Sequence, residues 1–234
     1  MIDYLNKRKL AFTLAEVLIT LGIIGVVAAI TLPTMIAKSK KRVVETQLKE
    51  YYSIMNQAFK LAENDYGDMG GWDSPARTDK LGGTGDYEWF QTYIQPYLKS
   101  STVKNSFHLW CVWYDGFAIE FINGTAASCG IAEGFSNDFL CMFYPKAEKM
   151  KEVQDNSTQA QKLVPGKDYF IFKINLDDNK GFQPYDSDEC YATTGTRWLP
   201  ARGCARLIQK NNWTIPSNYP IKFCLLYTSD AADD

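Results

Sequence analysis

The sequence has little of what a catalytic or metal-binding protein of common type needs. It has one histidine, His108, and its six cysteines form no C-x-x-C pair. This argues against a histidine-rich metal site, a Ser-His-Asp triad, a zinc ribbon and a thioredoxin-type motif. The formal net charge is only −2. Without a basic excess there is no electrostatic footprint for nucleic acid, and we expect no nucleic-acid partner.

No arrangement of residues indicates catalysis. His108 stands near Cys111, but the aromatic run around them is typical of a strand, in which successive side chains alternate between the two faces. Two residues three positions apart would then point to opposite faces. The glycine-rich stretch at 81–86 lacks the Gly-Lys-Ser/Thr ending of a phosphate-binding loop. We therefore predict that the protein is not an enzyme.

Charge is missing from one long stretch, Val17 to Ala37, which directly follows Glu16. As a helix this stretch spans about 30 Å, enough to cross the hydrocarbon core of a bilayer. A carboxylate in that setting costs about 2.5–3.5 kcal/mol on insertion scales and usually has a partner. A secretory signal peptide and a simple signal anchor are two alternatives. The basic residues on both sides of the stretch leave its orientation open.

The segment at 7–33, KRKLAFTLAEVLITLGIIGVVAAITLP, resembles the N-terminus of type IV pilins and type II secretion pseudopilins. The resemblance implies a leader at 1–11 with the basic residues Lys7, Arg8 and Lys9. A prepilin peptidase would cut it between Ala11 and Phe12 and methylate the new amino group. Ala11 departs from the family pattern, in which glycine is usual at that position.

The same resemblance gives Glu16 a role in assembly. Glu16 would be the fifth residue after cleavage, and the Phe12 amine of one subunit would pair with Glu16 of a neighbour. The helix at 12–37 would cross the membrane and later form the filament core. Pro33 is expected to kink this helix, and Gly22 and Gly25 to permit close helix approach.

The remaining sequence predicts an α+β fold. A stripe at helical spacing runs through Val44, Leu48, Tyr51, Met55, Phe59 and Ala62, and breakers near 64–67 should end the helix. Strands are expected on both sides of a turn at Asp115-Gly116 and at 168–177, with a polar, exposed insertion at 146–162. We predict a pilin-like domain at 38–223, a long kinked helix packed on an antiparallel sheet.

The cysteines and one acidic stretch suggest further sites. The resemblance to pilins favours a disulfide between Cys190 and Cys204, the alternative being that both are buried thiols. Cys129–Cys141 is a second candidate pair, named apart from the resemblance. The stretch at 176–190 is either a solvated acidic turn or a calcium site, calcium being the one cofactor considered. Its candidate ligands are Asp177, Asp178, Asn179, Asp186 and Asp188. Residues 224–234, CLLYTSDAADD, resemble a translated sequencing adapter and are expected to be non-native.

Three functions remain open at this point. The leading one is a structural subunit of a type II secretion pseudopilus or type IV pilus, with prepilin peptidase and other pilin subunits as partners. It would be a single-pass protein of the bacterial inner membrane, with a cytoplasmic N-terminus and a periplasmic or extracellular domain. The alternatives are a minor or tip pilin that serves adhesion or DNA uptake, and an enzyme tethered by the helix.

Overall fold

The computed structural model describes residues 13–73, 84–98, 101–108, 115–131, 138–154, 157–175, 181–193 and 201–223. The chain divides into two units, one of which is the domain Lys41–Phe223 and the other of which contains the N-terminal segment up to Lys40. One helix, α1 (Leu14–Tyr66), belongs to both units and continues through Pro33. It ends within the range predicted from the breaker residues.

The second half of α1 packs on the domain core. Its buried residues are Val44, Leu48, Tyr51, Met55, Ala58, Phe59 and Ala62. The predicted stripe is therefore confirmed, with Ala58 added. The Tyr51 ring stacks on Phe143, with ring centroids 4.4 Å apart, and Phe121, Phe172 and Phe182 meet it edge-on. Aromatic pairs in such geometries add to the stabilisation from apolar burial.

Within the described residues, the strands form one six-stranded antiparallel sheet in chain order. The strands are β1 (Ser101–His108), β2 (Asp115–Phe121), β3 (Ala126–Ile131), β4 (Asp138–Tyr144), β5 (Phe170–Asn175) and β6 (Gly181–Pro184). Together with α1 they confirm the predicted α+β class. The other helices are α2 (Thr84–Tyr93), α3 (Ala147–Val153), α4 (Ser157–Ala160) and α5 (Cys204–Lys210). Short 3₁₀ turns follow α1 and α2 at Met69–Gly71 and Gln95–Tyr97.

The sheet has a hydrophobic core on each face. Alternate residues such as Phe117, Phe139 and Phe172 join α1 and α2 in the larger core. Residues of the other parity, such as Leu140 and Met142, join α3 and α4 in the smaller one. Because both faces are covered, the described side chains of β4 are buried along the whole strand rather than alternately.

The predicted turn at Asp115-Gly116 is wrong. Both residues belong to β2, where Gly116 pairs with Phe107 and Asp115 with His108. The partner strand β1 lies earlier, in a polar stretch that carries a weak strand signal. A second hairpin, β2–β3, turns through Asn123 and Gly124, and Gly124 has a φ of 80°. Such an Asn-Gly pair suits a conformation that most residues avoid.

The predicted exposed insertion at 146–162 is also wrong in part. It contains α3 and α4, and Met150, Val153 and Ala160 are buried against the smaller core. Its charged residues lie on the outer side, where Lys149 pairs with Glu152. The polar composition had suggested a loop, because only one side of each short helix is apolar.

Candidate functional site

The start of α1 is held by a reciprocal pair of side chains, Thr13 and Glu16. Glu16 Oε2 accepts hydrogen bonds from the Thr13 backbone N–H and from its hydroxyl, both at 2.8 Å. In return, the Glu16 backbone N–H donates to Thr13 Oγ1 at 3.2 Å. This is a capping box, in which a threonine and a glutamate three residues later satisfy free donors at a helix N-terminus.

The capping box uses only one oxygen of the carboxylate. Both accepted bonds go to Oε2, and the structure gives Oε1 no partner among the residues that it describes. The glutamate therefore fixes the helix start and still has an acceptor for a second donor. The Thr-x-x-Glu spacing ahead of an apolar run could have revealed the capping role of Thr13, which the sequence analysis missed.

The apolar half of α1 is uncovered within the described chain. Its large side chains are exposed, with Leu14 at 78% and Ile30 at 70%. By length and composition α1 qualifies as a helix able to cross a membrane. An apolar surface of this extent calls for a lipid or protein environment.

The polar side chains of this segment bond to their own helix. The hydroxyls of Thr20, Thr31 and Thr34 donate to the carbonyl oxygens of Val17, Val27 and Thr31, at distances of 2.8–2.9 Å. In hydrocarbon, each polar group must be satisfied inside the segment, so these bonds suit a spanning helix. They leave the apolar side chains as the surface of the helix.

Several predicted residues of the N-terminal site lie outside the described part of the chain. They are the cleavage pair Ala11 and Phe12 and the leader residues Lys7, Arg8 and Lys9. Glu16 and Pro33 are both described, Glu16 in the first turn and Pro33 inside the helix. A kink at Pro33 stays a prediction.

Two disulfides lie in the domain. Cys190 and Cys204 are joined with their Cα atoms 4.7 Å apart, which connects the segment after β6 to the start of α5. Cys129 and Cys141 face each other across β3 and β4 and are also joined. These are the two pairings that the sequence analysis named, and Cys111 lies outside the described residues.

The acidic stretch is only partly described. Asp177, Asp178 and Asn179 lie outside the described residues, and no metal-binding group of three or more His, Cys, Asp or Glu occurs among the rest. Asp186 pairs with Arg206, and Asp188 with Lys210 at 2.7 Å. In this structure helix α5 therefore supplies the positive charge that these two carboxylates face. Calcium binding by the stretch stays a prediction.

Comparison with known families identifies the class of the N-terminal segment. Residues 6–32 match the prokaryotic N-terminal methylation motif, the signal of type IV pilins and pseudopilins, and the protein is a pilin-like precursor of this class. Residues 34–223 match a second model, and the chain belongs to that family, a family of unknown function (DUF6613). No curated protein and no solved structure matches the chain.

Membership of the pilin-like class indicates the partners and the location of the protein. The methylation motif implies processing by a prepilin peptidase and assembly with other pilin subunits. Together with the apolar helix it is consistent with a membrane-anchored pilin. It also indicates a structural subunit rather than an enzyme.

Proposed function

We propose that this protein is a structural subunit of a type II secretion pseudopilus or a type IV pilus. It enters the bacterial inner membrane through α1, with its N-terminus in the cytoplasm and its domain on the opposite side. Prepilin peptidase cuts it between Ala11 and Phe12 and methylates the new amine. The processed helix then leaves the bilayer for a filament core.

The observation that carries this proposal is the methylation motif followed by an uncovered apolar helix. A secretory signal would be removed, and a simple anchor has no need of a glutamate in its first turn. The exposed side chains need a second environment, which lipid supplies before assembly and other helices supply afterwards. A subunit that exchanges one environment for the other fits both features.

The capping box supports an assembly role for Glu16. Thr13 satisfies Oε2 within the same chain, which lowers the cost of placing a carboxylate at the edge of a bilayer. Oε1 stays available for the Phe12 amine of a neighbouring subunit. Opposite charges attract strongly where water is excluded, and losing one partner leaves an uncompensated charge. The pair therefore favours one axial position of a subunit relative to its neighbour.

The first test is N-terminal peptide mass spectrometry of the membrane-extracted protein, with and without a co-expressed prepilin peptidase. We expect a peptidase-dependent start at a methylated Phe12. A start at Met1 despite active peptidase would identify a simple anchor. A start near Ile30 would identify a secreted soluble domain. Either of these two results would contradict the proposal.

A second test separates the charge of Glu16 from its capping role. Glu16→Gln keeps an acceptor for Thr13 but removes the charge, so we expect normal cleavage and insertion with loss of filament assembly. Thr13→Val removes the two capping bonds made by the Thr13 hydroxyl but keeps the bond from the Thr13 backbone N–H and the charge of Glu16, so assembly should be reduced less. Glu88→Gln, at an exposed position of α2, serves as the control. Filaments from Glu16→Gln in wild-type amounts would rule out charge pairing.

A further inference from the structure

A shallow cavity of about 360 Å³ lies entirely within the domain. It is formed by the outer side of α1 and by Trp213, which follows α5. Its lining residues are Lys49, Tyr52, Ser53, Asn56, Gln57, Lys60 and Trp213. They combine an aromatic wall, amide and hydroxyl groups, and two ammonium groups, with no carboxylate among the seven.

The backbone holds Trp213 in an unusual conformation. Trp213 has a φ of 59°, and Asn212 before it has a φ of 54°. Two bonds that close the end of α5 fix them: Trp213 N–H to Ile208 O at 2.9 Å and Asn212 N–H to Gln209 O at 3.0 Å. These are the two bonds of a Schellman motif, and a bulky residue in the left-handed region at the last position of that motif is rare. Backbone strain of this kind concentrates at binding sites.

The strained turn places the Trp213 indole beside the Tyr52 ring. Their centroids are 4.9 Å apart and the rings are tilted by 40°. Trp213 is only half-buried, so part of the indole stays open to the cavity. An open, rigid aromatic ring next to polar groups can stack on the flat face of a ligand.

Hydrogen bonds within the domain orient the two amide groups in the cavity. Asn56 Nδ2 donates to the carbonyl oxygens of Tyr52 and Phe182, at 2.9 and 3.1 Å. Gln57 Nε2 donates to Ser53 Oγ at 3.0 Å. Both N–H donors of the Asn56 amide are thus engaged, and Asn56 Oδ1 remains to accept a bond from a ligand. Gln57 keeps Oε1 as an acceptor and one further N–H. A ligand that satisfies the Asn56 oxygen therefore carries an O–H or N–H donor.

The two lysines add a requirement for negative charge. Lys49 and Lys60 are both exposed and lie on the same side of α1, about 16 Å apart at 1.5 Å per residue. The structure gives neither lysine an acidic partner within the part of the chain that it describes. The ligand that satisfies all three features is extended, anionic, rich in hydroxyl donors and has a flat apolar face.

We propose that this cavity binds an acidic polysaccharide, a chain that contains uronic-acid residues. The apolar face of a pyranose ring stacks on Trp213, sugar hydroxyls donate to the Asn56 and Gln57 oxygens, and carboxylates meet Lys49 and Lys60. Single-stranded nucleic acid fits less well, because its phosphodiester backbone has no donors and because it usually stacks on several aromatic rings. This inference stands independently of the filament role.

The test is calorimetric titration of the full-length protein, in zwitterionic detergent micelles at low salt, with a short oligogalacturonate. Its methyl ester, which has the same sugar rings without the charge, is the matched ligand. We expect the methyl ester to bind about tenfold more weakly. Lys49→Gln/Lys60→Gln should also lose about tenfold, as two partly screened ion pairs would give. Lys146→Gln/Lys162→Gln, which removes two lysines outside the cavity, should bind normally.

A second variant tests the aromatic wall. Trp213→Ala should abolish measurable binding while thermal melting shows the domain still folded. The double lysine variant changes only exposed side chains, so the test remains valid if Trp213→Ala does not fold. Equal binding of acid and ester, or no heat from oligogalacturonate, would overturn the proposal. So would tighter binding of oligothymidylate that the lysine variant removes, since this would identify a nucleic-acid site.

Discussion

The buried carboxyl group of Asp86 should make the stability of the domain depend on pH. Asp86 lies in the first turn of α2 and is 3% exposed. Its Oδ2 accepts the backbone N–H of Ile131, at the end of β3, at 3.0 Å. Burial raises the pKa of this carboxyl from 3.8 to about 6, although the bond from Ile131 acts in the opposite direction.

The sign and size of the effect follow from proton linkage. The folded state holds its proton up to about pH 6, and the unfolded chain releases it near pH 4. Between these values the folded state binds more protons, so the free energy of unfolding falls as the pH rises. With about 1.4 kcal/mol per pKa unit, Asp86 contributes a loss of roughly 2–3 kcal/mol between pH 4 and pH 7.

Asp86→Asn tests this reasoning because asparagine keeps an oxygen for the Ile131 N–H and stays neutral. The stability of wild type relative to the variant should fall by roughly 2–3 kcal/mol between pH 4 and pH 7. Any constant cost of burying the amide drops out of this comparison. The measurement is denaturant unfolding of full-length protein in micelles, followed by tryptophan fluorescence.

The control variant is Asp68→Asn, at an exposed position after α1. The same exchange of a carboxylate for an amide at this exposed position measures the change between the two pH values that the substitution itself produces. If the difference between wild type and Asp86→Asn changes with pH no more than that of this control, the Asp86 carboxyl is hydrated in the folded protein. The argument from burial would then be refuted.

Three further changes have defined expected outcomes. Tyr51→Phe should leave the free energy of unfolding unchanged or raise it by about 1 kcal/mol, because the buried hydroxyl has no partner among the described residues. Gly203→Ala should lower it by about 1–3 kcal/mol, since an added Cβ would clash with the backbone oxygen of Ser187. Gly71→Ala, where an added Cβ meets nothing within 4 Å, is the control without a clash. Replacing Cys190 and Cys204 by serine should cost roughly 3 kcal/mol in unfolding assays, and non-reducing peptide mapping of wild type should show the linked peptides.

The parts of the fold that could be predicted from sequence are those with a local pattern of apolar residues. The stripe from Val44 to Ala62 repeats at helical spacing over several turns, so both its helix and its buried side were predictable. The strand β5 was predictable from another local signal, a short run of apolar residues. By contrast, β1 is polar and β3, AASCGI, consists mostly of small residues. Their strand structure comes from pairing with neighbours in the sheet.

The candidate sites also differ in whether a local sequence pattern reveals them. The capping box is a four-residue pattern and could have been read from the sequence. The burial of Asp86 depends on the contact between α2 and the end of β3, which the sequence does not encode locally. The Trp213 cavity brings together residues of α1 and the turn after α5, far apart in the chain. Sites built from distant segments require the fold before their chemistry can be recognised.

The strand β4 shows how the second layer of the domain could have been anticipated. Its segment after Asp138, FLCMFY, has no charged or amide side chain on either face, so the alternation of apolar and charged residues is absent and both faces must be covered. The long helix α1 can cover only one of them. The cover for the other had to come from elsewhere in the chain, and the segment at 147–160 places Met150, Val153 and Ala160 there. A polar composition therefore does not identify a loop when an adjacent strand still requires an apolar partner.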